Sequence, residues 1–197
     1  MLGGLKMKIG FALCGSFCTF SQVFPVMESL AKQHHVIPIF SAASALTDSR
    51  FGTAEDFLRR AEAGTGEKPL TTIAQVEPIG PKKLLDILII APCTGNTLAK
   101  LAHSIADTPV TMAAKSHLRN GRPVLVAIST NDALAGAAEN IGRLLSRKHY
   151  YFVPFRQDHP LKKPTSIVAD FQQIPEAAEL AMKGIQIQPL LLDSKET

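Results

Sequence analysis

The apolar runs of this chain are all strand-sized, so the sequence holds no segment long enough to cross a bilayer as a helix. Cysteine is scarce. Cys14, Cys18 and Cys93 are odd in number and buried by pattern, which argues against a disulfide framework and for a reducing, cytoplasmic setting. Cys14 and Cys18 have no second pair at zinc-ligand spacing, so no metal site is expected. Charge of one sign is missing too: 21 Lys and Arg stand against 17 Asp and Glu, and the net +4 is dispersed. With no arginine-rich stripe and no aromatic base-stacking motif, nucleic acid is not an expected partner. The opening Met1-Leu-Gly-Gly-Leu-Lys-Met-Lys8 lacks the long apolar centre of a signal peptide and is expected to lead straight into a strand. The first turn is not Gly-x-Gly-x-x-Gly and has no acidic residue placed for a ribose, which disfavours a nicotinamide dinucleotide bound in the usual mode. Nor is there a Gly-Lys-Ser/Thr phosphate loop, which argues against nucleoside triphosphate hydrolysis.

What is present is the composition of one folded domain: 197 residues, 46% hydrophobic and 19% charged. Strand-like runs alternate with helical patterns. That alternation predicts an α/β fold of three αβα layers around a doubly wound, mostly parallel, Rossmann-like sheet. Strands are expected at residues 8–14, 35–40, 87–91, 123–128 and 150–153. A first helix starts near Ser21, so that Pro25 falls close to its first turn. A second covers 48–63 with Phe51, Ala54, Phe57, Leu58 and Ala61 inward. Further helices follow Thr97, with Leu98, Leu101, Ala102 and Ile105 as the apolar stripe, and cover 109–118, 131–147 and 174–183. The 131–147 helix is expected to bury Leu134, Ala138, Ile141 and Leu145. Residues 64–83, broken by Gly and Pro, read as a short extra strand plus an excursion. Residues 154–164 read as a polar loop and the tail beyond Leu192 as frayed. No repeat or linker divides residues 1–197, and the loop and helix at about 154–185 are expected to close over the site.

The most informative stretch is Asp86-Ile-Leu-Ile-Ile-Ala-Pro-Cys-Thr-Gly-Asn-Thr-Leu-Ala-Lys100. Ile87 to Ala91 has no polar position, as in a strand covered on both faces. Pro92 is expected to end it, and Thr94, Gly95, Asn96 and Thr97 place small hydrogen-bonding residues at a helix N-terminus. Unpaired amides and the positive end of the helix dipole make such a junction a natural anion site. Ligands of open parallel sheets bind outside the carboxyl ends of the strands. Four expected strand ends carry small or polar residues: Gly15-Ser16, Ser41 and Ser44, Cys93 to Thr97, and Ser129 to Asn131. Each alone is ordinary turn chemistry. Four at one edge favour a phosphate-bearing ligand.

Gly15-Ser16, Ser41 with Ser44, and Pro92-Cys-Thr-Gly-Asn-Thr-Leu-Ala-Lys100 together resemble the homo-oligomeric flavin-containing cysteine decarboxylase superfamily, over roughly residues 8–155. Its hallmark is Pro-x-Thr/Ser-x-Asn-Thr-hydrophobic-Ala-Lys, followed by small residues and Asp, as in Ala102-His-Ser-Ile-Ala-Asp107. The resemblance implies a flavoprotein-type fold that binds FMN and assembles as trimers or multiples of them. It implies a cofactor-binding set of Gly15, Ser16, Phe17, Ser41, Ser44, Cys93, Thr94, Asn96, Thr97 and Ser129. The phosphate would lie against Ser16, Ser41 or Ser44, and Thr94 or Thr97, with the ring near Cys93 and the Ala127 to Asn131 strand end. The catalytic motifs differ. Where the decarboxylases read Pro-x-Met-Asn, this chain has Ile128-Ser-Thr-Asn131, and residues 64–83 offer no histidine for their general base. The prenyltransferases' Arg-Glu is replaced by Thr130-Asn131. Asn131 remains the one catalytic candidate, with helix capping as its simpler role.

A second resemblance covers nearly the whole chain. Gly10-Phe-Ala-Leu-Cys-Gly-Ser-Phe-Cys-Thr-Phe20 and Val153-Pro-Phe-Arg-Gln-Asp-His-Pro-Leu-Lys-Lys-Pro-Thr-Ser-Ile-Val-Ala-Asp170 are similar to the B subunits of two-component synthases of pyridine-2,6-dicarboxylate. This implies a cytoplasmic role in the mother cell of a spore-forming bacterium. It also implies a separate A subunit through which NADP takes the electrons, and a small dicarboxylate substrate. Arg156, His159, Lys162 and Lys163 are then the expected substrate-binding cations, because a dicarboxylate needs charge-assisted anchors. The other reading of that loop is a solvated surface. Two further functions stay open: a non-catalytic scaffold whose pocket holds phosphate or nothing, and an autonomous FMN-dependent decarboxylase.

Overall fold

The computed structural model describes residues 6–193. Along the chain run β1 (Lys8–Leu13), α1 (Phe20–Ala31), β2 (His35–Phe40), α2 (Ala42–Leu46), α3 (Ala54–Thr65), α4 (Ile73–Val76) and β3 (Ile87–Cys93). Then come α5 (Gly95–Ala102), α6 (Pro109–Leu118), β4 (Val124–Thr130), α7 (Ala138–Leu145), β5 (Tyr150–Phe152), β6 (Phe155–His159), β7 (Lys163–Ala169) and α8 (Ile174–Met182). The seven-stranded sheet has the order β2-β1-β3-β4-β7-β6, and β5 also pairs with β4. β2, β1, β3, β4 and β5 are parallel, whereas β6 and β7 form an antiparallel hairpin joined to the end of β4. The three-layer, mostly parallel expectation holds. α1 and α8 pack on one face, with α5 and α6 on the other.

The apolar runs dictate this arrangement. Every position of β3 is buried and β4 is buried up to Ser129, because both strands have helices on both faces. Phe20 sits edge-on to Phe57 with ring centroids 4.8 Å apart and to Phe24 at 5.5 Å, which locks α1 to α3. The helices start where the sequence supplies caps: Thr53, Thr72, Thr94 and Thr108 each accept from a backbone amide three residues on.

Several expectations are corrected. Pro92 does not end β3; the strand runs on to Cys93 through a register irregularity between Ile90 and Cys93, where a residue without an N–H is tolerated. α1 begins at Phe20 after a 3-10 turn at Phe17–Thr19, which leaves Pro25 inside the helix. α3 starts only at Ala54, capped by Thr53, and Phe51 before it is 46% exposed. The excursion at 64–83 holds α4 and a 3-10 turn rather than a strand; only Leu70 bridges Ile39. Residues 131–137 are turn, with Ala137 buried just before α7; α7 itself buries Ile141 and Leu144, whereas Leu134, Ala138 and Leu145 are exposed. Ile105 is likewise exposed, because α5 ends at Ala102. The expected polar loop at 154–164 is the β6–β7 hairpin, whose alternation the charged residues disguised. Of the tail expected to fray, residues 194–197 lie outside the described residues.

Candidate functional site

β1 feeds outward to β2, whereas β3 continues the sheet the other way, so the topological switch lies between the carboxyl ends of β1 and β3. A cavity of about 480 Å³ opens there. Its floor is Gly15 and Ser16 after β1, Thr94 after β3, and Ser129, Thr130 and Asn131 at the end of β4. Its wall is the hairpin, through Arg156, Gln157, Asp158, Lys163 and Ser166 to Asp170.

Hydrogen bonds tie these separated segments together. The Ser16 and Ser129 hydroxyls lie 2.8 Å apart, bridging the ends of β1 and β4. Only one of the two donates in that bond, so the other keeps its proton for a ligand. Thr94 Oγ1 accepts from the Thr97 amide at 3.4 Å and lies 3.2 Å from Thr97 Oγ1. The Thr97 hydroxyl donates to Cys14 Sγ at 3.3 Å, so Thr94 is the donor in the contact between the two hydroxyls. The Gly95 and Asn96 amides, in the first turn of α5, have no intrahelical acceptor. A Cβ on Gly95 would stand 2.7 Å from Asp132 Oδ1 and 2.9 Å from Thr130 Oγ1, so only glycine lets the end of β4 approach this closely.

The wall is charged and internally neutral. Arg156 Nη2 donates to Asp170 Oδ2 at 3.1 Å, with the two side chains 19% and 30% exposed. Gln173 donates to the same carboxylate oxygen at 3.2 Å. Lys163 pairs with Asp158 at 2.6 Å, a contact that raises its pKa. Asn131 does not cap a helix; its side chain accepts from Ser166 at 3.3 Å and its carbonyl from Thr165 at 2.6 Å, which fastens β4 to β7.

The structure thus brings together Gly15, Ser16, Thr94, Ser129, Asn131, Arg156 and Lys163 from the expected site. The others lie elsewhere. Ser41 and Ser44 form a closed cap on α2: Ser44 is fully buried and donates to Leu13 O at 2.8 Å. Cys93 is buried in the sheet, and burial pushes its thiol well above the usual range. Cys14 is raised to about 11 for the same reason, so neither is a ready nucleophile. Phe17 stacks on Phe57 at 6.0 Å, Thr97 serves Cys14, and Asn96 lies outside the cavity lining. His159 accepts from the Lys162 amide at 3.3 Å in the hairpin turn, away from the cavity. Lys100 is paired with Asp107 at 2.7 Å. Cys18, expected to be buried, is exposed and lines the cavity beside Thr19 and Gln22. Thr19 and Gln22, with Gln157, Asp158 and Asp170, carried no signal in the sequence as site residues.

The donor set suits a phosphate monoester. Hydroxyls from three strand ends, Ser16, Thr94 and Ser129, line one cavity, and its volume lies in the range of small-ligand sites, about 300–1,000 Å³. In comparisons with known proteins, residues 4–170 match the Flavoprotein family. The B subunit of dipicolinate synthase from Bacillus subtilis (strain 168) is 44% identical over 195 residues, 98% of each chain. The crystal structure of the dipicolinate synthase B subunit from Bacillus halodurans is 43% identical and superposes with a TM-score of 0.87, covering 95% of this chain and 97% of the other. The FMN-dependent cysteine decarboxylase SpaF shares the fold, with a TM-score of 0.65 at 22% identity over 93% of this chain and 98% of its own. A family match along most of its length, on a cavity built from those same strand ends, means that the chain belongs to the Flavoprotein family.

Proposed function

We propose that this chain is the B subunit of a dipicolinate synthase. In this reading it works with a separate A subunit to convert a dihydrodipicolinate-type intermediate to pyridine-2,6-dicarboxylate during spore formation, in the cytoplasm of the mother cell. NADP enters through the A subunit. Ser16, Thr94 and Ser129 hold the phosphate of an FMN-type flavin at the switch point. Bound there, the flavin would supply a ring that takes up and returns two electrons. The hairpin shields that space from water, and Arg156 and Lys163 exchange their internal carboxylates for those of the substrate. The carrying observation is that one cavity joins the Ser16–Ser129 hydroxyl bridge and Thr94 to a wall bearing Arg156 and Lys163. Self-association, as a trimer or a multiple of it, belongs to the same reading.

A second reading is supported by two features of the same cavity. Among the described residues no histidine lines it, and Arg156 and Lys163 are already neutralised. On that reading the chain shapes the active site of its partner without taking part in chemistry. Assaying the two proteins separately and together decides between them. The proposal expects dipicolinate formation only with both present, and uptake of FMN by this chain seen as quenched flavin fluorescence. Full activity from the isolated A subunit removes the catalytic role; a chain that takes up no FMN removes the flavin.

A further inference from the structure

A second cleft, of about 470 Å³, lies at the amino edge of the sheet, where the end of α6 meets the starts of β4 and β5. Neither the cofactor nor the substrate reading uses it. Its floor is apolar, formed by Leu101, Leu118 and the 47% exposed Ile105. Its rim is cationic: Lys115, Arg119, Arg147 and Lys148, with no Asp or Glu among the lining residues. The number is informative because the formal net charge of the chain is +4. Outside this cleft, Lys and Arg are no more numerous than Asp and Glu.

These cations are not accounted for by internal pairing. Among the described residues none of the four has a carboxylate partner, whereas Arg59, Arg60, Lys100, Arg122, Arg143, Arg156 and Lys163 all do. A helix end accounts for one. Arg147 donates to Leu101 O at 3.1 Å and Ala102 O at 2.6 Å, capping the C-terminus of α5. Those carbonyls fix the guanidinium in place without cancelling its charge. Like charges crowded over a low-dielectric floor repel one another, and a cleft lined by one sign concentrates counter-ions. The rim also holds two of the three non-glycine residues with positive φ among the described residues. Ser104 and His149 adopt left-handed conformations, with φ of 59° and 69°.

We propose that this cleft binds a small organic anion carrying at least two negative charges on a flat, apolar body. Aromatic dicarboxylates and nucleoside diphosphates share that chemistry: the charges would meet Lys115, Arg119 and Lys148 while the ring covers Ile105 and Leu118. Because the cleft lies at the opposite edge of the sheet, this assignment stands or falls apart from the proposed function.

Calorimetric titration of the full chain with pyridine-2,6-dicarboxylate, adenosine 5′-diphosphate and, as a charge-only probe, inorganic phosphate tests it. At least one organic anion is expected to saturate one site per chain. Its affinity should fall roughly tenfold or more in the Lys115→Gln/Arg119→Gln double variant, which removes two charge-assisted contacts. Arg59→Gln, which removes an exposed cation outside both cavities, should leave it unchanged. Both side chains replaced in the double variant are exposed, and an unchanged melting midpoint verifies folding. Which organic anion binds tighter identifies the source. Four results overturn the assignment: no saturation by either organic anion, equal affinity for inorganic phosphate, binding that survives the double variant, or a double variant that alters the sedimentation of the ligand-free chain.

Discussion

Replacing Arg156 with Ala separates its two roles. In the free chain the guanidinium holds Asp170, and among the described residues Gln173 is the only other side chain bonded to that carboxylate. The pair is partly exposed, so its loss should cost more than the few tenths typical of surface pairs and less than a buried pair: about 1 kcal/mol. If the guanidinium also receives a substrate carboxylate, a charge-assisted contact is lost in turnover. That contact contributes about 1.5–3 kcal/mol, or on the order of 10- to 150-fold in kcat/KM. The assay is steady-state dipicolinate formation by the two-component enzyme, beside thermal or urea unfolding of the isolated chain. Arg143→Ala is the control. Its pair with Glu139, at 2.5 Å and one helical turn apart, lies on an exposed face, and its removal should cost about 0.3–0.5 kcal/mol without touching kcat/KM. A variant of Arg156 that loses stability yet keeps its kcat/KM within twofold would refute substrate binding. The residue would then be a strut of the hairpin.

Two more outcomes follow from the same structure. His117 is 1% exposed, and burial pushes its pKa down to about 4 against the opposing effect of its bond to Pro123 O at 3.0 Å. The unfolded chain therefore takes up a proton on this ring as pH falls below about 6.5 while the folded chain does not, so stability is lost between about 6.5 and 4. At 1.36 kcal/mol per unit the loss is on the order of 3 kcal/mol; melts across that range should fall steeply for the native chain and less so for His117→Gln, and identical slopes would contradict it. Thr94→Ala removes the cap of α5 and should cost about 1 kcal/mol of stability and weaken FMN uptake. Thr94→Ser should restore both, and an FMN affinity unchanged by the alanine would take Thr94 out of the phosphate site.

The layered fold was legible in the sequence because its signals are local. Ile87 to Ala91 and Val124 to Ile128 have no polar position, and a strand without a polar face must be covered twice. The Thr-capped start at Thr94 is equally short-range: a hydroxyl three residues before an amide sets the helix wherever the chain lies. The hairpin was not legible, because Arg156, Asp158 and Lys163 interrupt its apolar alternation and their charges are balanced only across the turn. Nor was the face of α7. Leu134 and Leu145 are as apolar as Ile141 and Leu144, and the first turn forming at 131–137 rotated the buried stripe by one position.

The same division runs through the site. The sequence alone determined which strand ends carry hydroxyls, since Ser16, Ser44, Thr94 and Ser129 each follow an apolar run. Which of those hydroxyls face a common space depended on strand order and on what each one bonds. Ser44, turned inward, is consumed by Leu13 O. Ser16 and Ser129, 113 residues apart in the chain, meet at 2.8 Å because β3 lies between their strands and ends in the turn that leaves them room. A hydrogen bond is short-ranged and directional, so local sequence can supply the group, but only the packed sheet can bring its partner within reach.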